Sequence, residues 1–407
     1  MAAATSSGDR ARRDPLSAAL ELVHTAGTVR RAELTAQLGL SRSAIGALVE
    51  ELRDRELILV ETRPRPAGEA GRPSHLVSLH PDGPVVVAVQ LRSDSYRVAV
   101  VGLGGELVSS SVAPLPQPST PERVLRRIAK DAAAAAASCP RSCLGVGVAV
   151  PSAVSRVDQH ALAALYLRWP SAVPVRTMLT HLLGDEIPVH VGNDANLAAL
   201  AEYRHGAGAG ASDMLFVTTG QRGVGGGLVV GGRLYTGSAG YALELGHLTV
   251  DPNGRSCHCG NRGCLDVEAD SRALVEAGGT ALGEAEDVEA AARDVVGRAC
   301  ADPRARAAVA RVADRLAVGL AGLANLFNPD RIVLGGLHAD LLGAGPDRMA
   351  DALRRRSLLS VASEVPLCAG SLADDAIILG AGELALQPLL DQPRLLTPAG
   401  GRPAAPP

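Results

Sequence analysis

The sequence has no run of about 18 consecutive apolar residues, so it offers no ordinary membrane-spanning helix. It also has no apolar stretch near its start before "GDRARRD" turns the chain charged, so no secretion signal is expected and the protein is placed in the reducing cytoplasm. Lysine is almost absent, one residue among 40 Lys and Arg, a bias that reads as genomic base composition and receives no functional weight. The formal net charge of -3 provides no global attraction to nucleic acid, so any such attraction has to be local. What remains is a globular composition, 47% hydrophobic, on 407 residues. That is too long for one core and implies two or three domains.

Residues 1–80 differ from the rest of the chain and carry three short helical patterns. Asp14-Pro15 is an N-cap followed by proline at the first helical position, opening a helix to about residue 26. A second helix over 31–38 stops at Gly39, and Ser41 caps a third with Ile45, Leu48, Val49 and Leu52 on its buried face. "LILVET" (57–62) and "SHLVSL" (74–79) read as two strands, which completes a winged helix-turn-helix. In that motif the N-terminal side chains of the second motif helix meet base edges; here these are Ser41, Arg42, Ser43 and Ala44, with Ala47 one turn on. Arg42 suits bidentate donation to guanine, and the serine hydroxyls suit phosphates or bases. The helical pattern alone is equally compatible with a small structural bundle. Arg63, Arg65 and Arg72 on a Gly/Pro-rich loop between the strands favour DNA, and "GRP" (71–73) is an extended tripeptide suited to a narrow minor groove.

From Val85 onward apolar strands alternate with helices, as in a two-lobed α/β domain. "VVVAV" and "YRVAVV" form a hairpin-like pair; "LGVGVAV", "MLFVTT", "GGGLVV" and "RIVLGG" are further strands; 193–203 and about 304–325 are helices. The alanine run 132–137 belongs to a solvent-facing helix, and the Pro/Gly-rich end is expected to be disordered. The expected division is 1–80 for the DNA-binding head, 81–195 for a first lobe, 196–386 for a second lobe whose last helix returns to the first, and 387–407 for the tail.

Three of the seven cysteines lie between 257 and 264. Cys257, Cys259 and Cys264, with His247 ten residues upstream of the first, supply three thiolates and one imidazole, enough for a closed tetrahedral zinc site. Four protein ligands leave no position for water, so such a zinc is structural. His258 is a competing ligand whose place between two coordinating cysteines is expected to turn it away. Cys139, Cys143, Cys300 and Cys368 are dispersed and are read as inert. "VGNDANLAALAE" places Asn193, Asp194 and Asn196 at a strand-to-helix junction, where a carboxylate and amides can bind a polyol. "ELGH" puts Glu244 and His247 on one face of a helical turn. "RGVGGGLVVGG" reads as a glycine-rich turn, and such a loop is more often a tight β-turn than a phosphate cradle.

With "ELGH", "CHCGNRGC", "NDANLAALAE", "GVGGGLVVGGRLYTGSAG", "LYLRW" and "LFNPDRIVLGG", the chain resembles the ROK family of repressors, open reading frames and kinases. The resemblance extends from about residue 16 to 386, and the "AGRPS" wing is similar to that of the family's sugar-responsive repressors. It implies an N-terminal winged helix-turn-helix followed by a two-lobed actin-like domain of the sugar kinase/Hsp70 type, with sugar in the cleft. It implies zinc on His247, Cys257, Cys259 and Cys264. It also implies sugar contacts from Asn193, Asp194, Glu244, His247 and Asp266, with Asp194 where the kinases keep their base. Family kinases end their first strand in an Asp-x-Gly-Gly-Thr turn. The matching stretch here is "QLRSD", with Gln90 for the acid, Arg92 and Ser93 for the glycines, and Asp94 adding negative charge. The second phosphate turn matches Gln221-Arg222-Gly223, and Gly335-Gly336 is retained. Phosphoryl transfer depends on positioned donors and metal ions as well as a base, so no enzyme activity is expected. The family's glycine before the ELGH glutamate is Leu243, its glutamate after the last cysteine is Asp266, and Ser152 follows Pro151 where glycine is usual. The expectation is a repressor of carbohydrate uptake or catabolism genes, binding operator DNA as a homodimer or homotetramer and answering to a sugar effector. The alternative is an ATP-dependent hexose kinase.

Overall fold

The computed structural model describes residues 14–63, 74–162, 164, 167–169, 172–219, 223–280, 287–358 and 365–397. The chain divides into two compact units, one of Met1–Ala149, Val175–Val191 and Ala381–Pro407, the other of Val150–Pro174 and Gly192–Gly380.

The first unit begins with α1 (Pro15–Ala26), capped by Asp14, whose side chain accepts from the Leu16 N–H at 3.3 Å. A short strand β1 (Thr28–Arg30) leads into α2 (Arg31–Leu38), which ends at Gly39 in the left-handed conformation. Helix α3 (Arg42–Asp54) follows its Ser41 cap. Leu16, Leu20 and Val23 of α1, Leu34 of α2 and Ile45, Val49 and Leu52 of α3 form the buried centre of this head. Strands β2 (Ile58–Arg63) and β3 (Ser74–Leu79) pair antiparallel, with Arg63 opposite Ser74. The two-stranded wing gains a third strand, because β1 pairs with β3 in the order β1-β3-β2. Three residues are too few to leave a periodic signature.

Strands β4 (Val85–Leu91), β5 (Ser95–Gly102) and β6 (Leu107–Pro114) form an antiparallel meander. Helix α4 (Pro121–Ser138) buries Leu125, Ile128 and Ala132 and leaves Ala133 and Ala134 exposed. Strand β7 (Cys143–Val150), helix α5 (Val175–Leu183) and strand β8 (Val189–Asn193) complete a sheet of order β6-β5-β4-β7-β8, with β7 parallel to β4.

The second unit opens with α6 (Asp194–His205), β9 (Asp213–Thr219), β10 (Val224–Val230) and β11 (Arg233–Leu234). Helices α7 (Leu265–Glu268), α8 (Ser271–Ala277), α9 (Val288–Arg298) and α10 (Pro303–Phe327) follow. Strand β12 (Arg331–Gly335), helices α11 (Gly336–Ala344) and α12 (Pro346–Arg356), and strand β13 (Leu367–Ala369) close the unit. Its sheet order is β11-β10-β9-β12-β13, with β12 parallel to β9 and β13. Both sheets are thus built on one plan, a meander followed by crossover strands, as the actin-like fold class requires.

Two expectations change here. Of the two readings given to the glycine-rich stretch, the strand over "GGGLVV" holds and the turn over "RGVGGGLVVGG" gives way to it, its glycines serving packing. A Cβ on Gly225 would stand 2.7 Å from the Ala195 Cβ, and one on Gly227 2.6 Å from the Ala199 Cβ, so α6 lies directly on β10. The tail expected from 387 is ordered at its start: α13 (Ala376–Asp391) continues past it and a 3-10 turn spans Pro393–Leu395. Leu389 and Leu390 are buried, the Ser17 hydroxyl donates to the Leu390 carbonyl at 2.6 Å, and Arg394 pairs with Glu51 at 2.8 Å and with Asp14. These contacts join the C-terminal segment to the head, and composition alone could not reveal them.

Candidate functional site

In the head, Ser41, Arg42, Ser43 and Ala47 are all exposed at the start of α3 and its next turn. The Ser41 hydroxyl accepts from the Ala44 N–H at 3.2 Å and lies 2.9 Å from the Ser43 hydroxyl, so its first task is to cap the helix. Arg63 ends β2; Arg65 and Arg72 fall in the connection 64–73, outside the described residues.

The second unit holds the cysteine cluster. Segment 256–262 folds back on itself, with the Cys257 N–H donating to the Asn261 carbonyl at 2.8 Å and Ser256 bridging to Arg262. Cys264 then returns beside Thr249 through Gly263, at φ 62, where a Cβ would meet the Asp251 carbonyl oxygen at 1.5 Å. Only glycine passes there. The ligand atoms of His247, Cys257, Cys259 and Cys264 all lie within 4.8 Å of one another. Cys259 Sγ stands 3.7 Å from Cys264 Sγ, and Cys257 Sγ stands 3.8 Å from His247 Nδ1. A tetrahedral ion with Zn–S bonds of about 2.3 Å places neighbouring sulfurs about 3.8 Å apart. The donor set and its spacing therefore fit a zinc ion.

Burial pushes the Cys264 thiol up to about 12 and also raises Cys257, while the Asn261 backbone holds Cys259 lower. A divalent cation supplies the charge that lets such thiols ionise together. The loop is also tied from outside: Glu268 accepts from the Arg255 N–H at 2.7 Å, and Arg315 of α10 pairs with Asp251. His258 departs from expectation. Instead of turning away, its Nδ1 lies 3.8 Å from Cys257 Sγ and 3.5 Å from an Asp266 carboxyl oxygen.

His247 links this cluster to the carboxylates. It closes the 3-10 turn Leu245–His247, its N–H donating to the Glu244 carbonyl at 3.1 Å, so the two residues share a turn. Asp194 opens α6 and accepts from the Ala195 N–H at 2.8 Å. Burial, reinforced by the Glu244 charge, pushes its carboxyl up to about 7. Enclosure raises Glu244 as well, opposed by His247 and assisted by Asp266. Asp194, Glu244, His247 and Asp266 are thus close enough for their charges to interact. Asn193 is engaged at both ends of its amide, accepting from the Asn196 N–H at 2.9 Å and donating to the Ser152 carbonyl at 3.1 Å. Asp266 accepts from the buried Val224 N–H at 2.8 Å, which anchors it to the start of β10. Leu243 adopts φ 67. This left-handed conformation, one that glycine adopts freely, costs a leucine about 1–2 kcal/mol.

A carboxyl whose folded-state pKa is raised favours folding while protonated, and that contribution is lost as pH rises through the folded value. Asp194→Asn is therefore expected to match the parent near pH 4 and to exceed it by about 2 kcal/mol near pH 8.5, the raised value being discounted for partial exposure. Urea unfolding at both pH values checks this, and a gap that does not widen with pH would remove the assignment.

In the first unit the matching phosphate turn is a tight hairpin between β4 and β5. Gln90 is buried, Arg92 donates to its amide oxygen at 3.4 Å, and the Arg92 N–H donates to the Ser95 carbonyl at 2.9 Å. The Ser95 hydroxyl donates to Asp94 at 2.8 Å. Side chains and an acid therefore occupy the turn. Gln221 and Arg222 lie outside the described residues. In the retained turn, the Leu337 N–H after Gly336 already donates to the Thr219 hydroxyl at 2.9 Å.

The xylose repressor of Caldicellulosiruptor bescii is 24% identical over 378 residues, covering 90% of this chain and 93% of that protein. The glucokinase of Streptomyces coelicolor is 30% identical over 329 residues, covering 75% of this chain and 98% of its own. Among solved structures, a ROK family transcriptional regulator, a homologue of the E. coli Mlc protein, superposes with a TM-score of 0.75 at 25% identity, covering 94% of this chain and 98% of that one. A glucokinase from Streptomyces griseus, solved with glucose and AMPPNP, gives a TM-score of 0.63 at 30% identity and covers 74% of this chain and 99% of its own. Residues 86–388 match the ROK family throughout both sheets, and the chain belongs to that family.

Proposed function

We propose that the protein is a sugar-responsive transcriptional repressor, acting as a cytoplasmic dimer on operator DNA near genes of carbohydrate uptake or catabolism. One observation carries the reading: the likeness to repressors and a regulator extends over nine-tenths of the chain, head included, whereas the glucokinases match three-quarters of it. In this reading Ser41, Arg42 and Ser43 meet the major groove, and Arg63, Arg65 and Arg72 flank it from the wing. Asn193, Asp194, Glu244, His247 and Asp266 take sugar hydroxyls; carboxylates accept them, and the paired acids favour a polyol over an anion. A zinc on His247, Cys257, Cys259 and Cys264 would hold the turn that carries Glu244, giving structure without an open coordination position.

The glycine-free turn at Arg92–Ser95 supports a protein without phosphoryl transfer. The family also contains kinases, and the hexose kinase reading has its own test. ADP release across a panel of hexoses and pentoses should stay at background, and robust turnover abolished by Asp194→Asn would overturn the repressor reading. The repressor reading predicts salt-sensitive binding to the region upstream of the protein's own gene, weakened when the correct sugar is added. Arg42→Ala should cost about 1–3 kcal/mol of that binding and relax preference at one base pair; an unchanged footprint and affinity would remove Arg42 from the interface.

A further inference from the structure

Arg31 opens α2, and its guanidinium lies against the next helix. A Cβ built on Gly46 would stand 2.4 Å from Arg31 Nη2, so the bare backbone of α3 makes the space the guanidinium occupies. Glycine in a helix interior costs about 1 kcal/mol relative to alanine. Gly46 sits within a 13-residue helix, one turn after Arg42 and beside exposed Ser43 and Ala47. Among the described residues the Arg31 guanidinium meets no carboxylate within ion-pair distance. Arg55, also half-buried, pairs with Glu51 at 3.3 Å, and Arg141 pairs with Glu106 at 2.7 Å and with the Gly83 carbonyl at 2.6 Å. Exposed Arg42, the other candidate DNA contact, shares with Arg31 the lack of an ion pair among the described residues. Arg31 is half-buried and so costly to position, yet its charge is unanswered by these residues. A phosphate is the anion whose geometry a guanidinium fits.

We propose that Arg31, held over Gly46, is a phosphate clamp for the DNA backbone. The inference rests on the DNA-binding reading above and extends it from the second helix of the motif to the first, which in helix-turn-helix proteins crosses the phosphate backbone. A clamp of this kind adds affinity without sequence preference, and Gly46 is its positioning residue.

The test uses the full-length protein, two duplexes of equal length and a series of salt concentrations. One duplex carries the region upstream of the protein's own gene and the other is scrambled. Arg31→Ala should weaken binding to both by the same factor, about 5–10-fold at low salt, and flatten the dependence of log K on log salt by about 0.9 per subunit, about 1.8 for a dimer. Gly46→Ala keeps the charge but puts a methyl where the guanidinium lies. It should reproduce the loss, add nothing in the double variant, and leave thermal stability equal or higher. A parent that binds while Arg31→Ala keeps its affinity and salt slope overturns the clamp alone. Full additivity of the two substitutions overturns the role of Gly46 and the held geometry with it. A parent that shows no salt-sensitive binding to either duplex overturns the DNA-binding reading itself.

Discussion

The purified protein is expected to hold one zinc per chain, and Cys264→Ser to retain less than about a tenth of it. Cys264 is fully buried, stands 3.7 Å from Cys259, and sits on the strand segment that bridges to Thr249. A hydroxyl in its place is a poor ligand that leaves the other two thiols and His247 with an incomplete set. Tight zinc-finger sites bind with about 10–16 kcal/mol, so losing one ligand has room for a large effect. The consequence should be local. Arg255 and Arg262 lie within the folded-back loop, so trypsin is expected to cut the variant there while the parent resists. The head, in the other unit, should keep its DNA affinity. Stoichiometric zinc in Cys264→Ser, measured by elemental analysis after gel filtration, would exclude Cys264 as a ligand. Chelation that loosens the loop should also weaken any sugar response, because His247 and Glu244 share a turn.

The second large effect concerns His24 and Glu383, both fully buried, with His24 Nε2 at 2.9 and 3.1 Å from the two carboxyl oxygens. His24 Nδ1 accepts from the Gly104 N–H at 2.9 Å, which fixes the ring as the tautomer that donates from Nε2 to the carboxyl group. Removing one partner deprives the other of a short hydrogen bond in a dry site. Glu383→Ala should therefore cost about 3–5 kcal/mol, whereas Glu383→Gln, which keeps an acceptor, should cost less than about 1.5. Denaturant unfolding of the three proteins checks the order. Equal losses from both substitutions would show that the charge, and not the acceptor, holds the pair together.

The helices of the head were legible because caps and stops are local: Asp14, Gly39 and Ser41 announce their turns whatever surrounds them. The cysteine set was legible because spacing within eight residues encodes it. Strand β6 was not, since nearly all its residues are exposed and no apolar alternation marks it. Gly225 to Gly227 supported both a strand and a turn, as close helix-on-strand packing leaves the same composition as a turn. His24 and Glu383 are 359 residues apart, and nothing near either foretells the other. The orientation of His258 toward Asp266 depends on how the loop folds back, which spacing cannot convey.

Ser17, His24, Asp14 and Glu51 all find partners between Glu383 and Arg394. The first described helix is therefore completed by contacts from the last. A nascent chain can form the three helices of the head early, but it leaves buried polar groups unanswered until residues 383–394 have been made. Chains that terminate early would carry a reading head with an open seam. Expression of residues 1–80 alone should accordingly yield a less stable domain than the same sequence joined to residues 81–397, and synthesis of the 383–394 segment becomes a checkpoint on DNA binding.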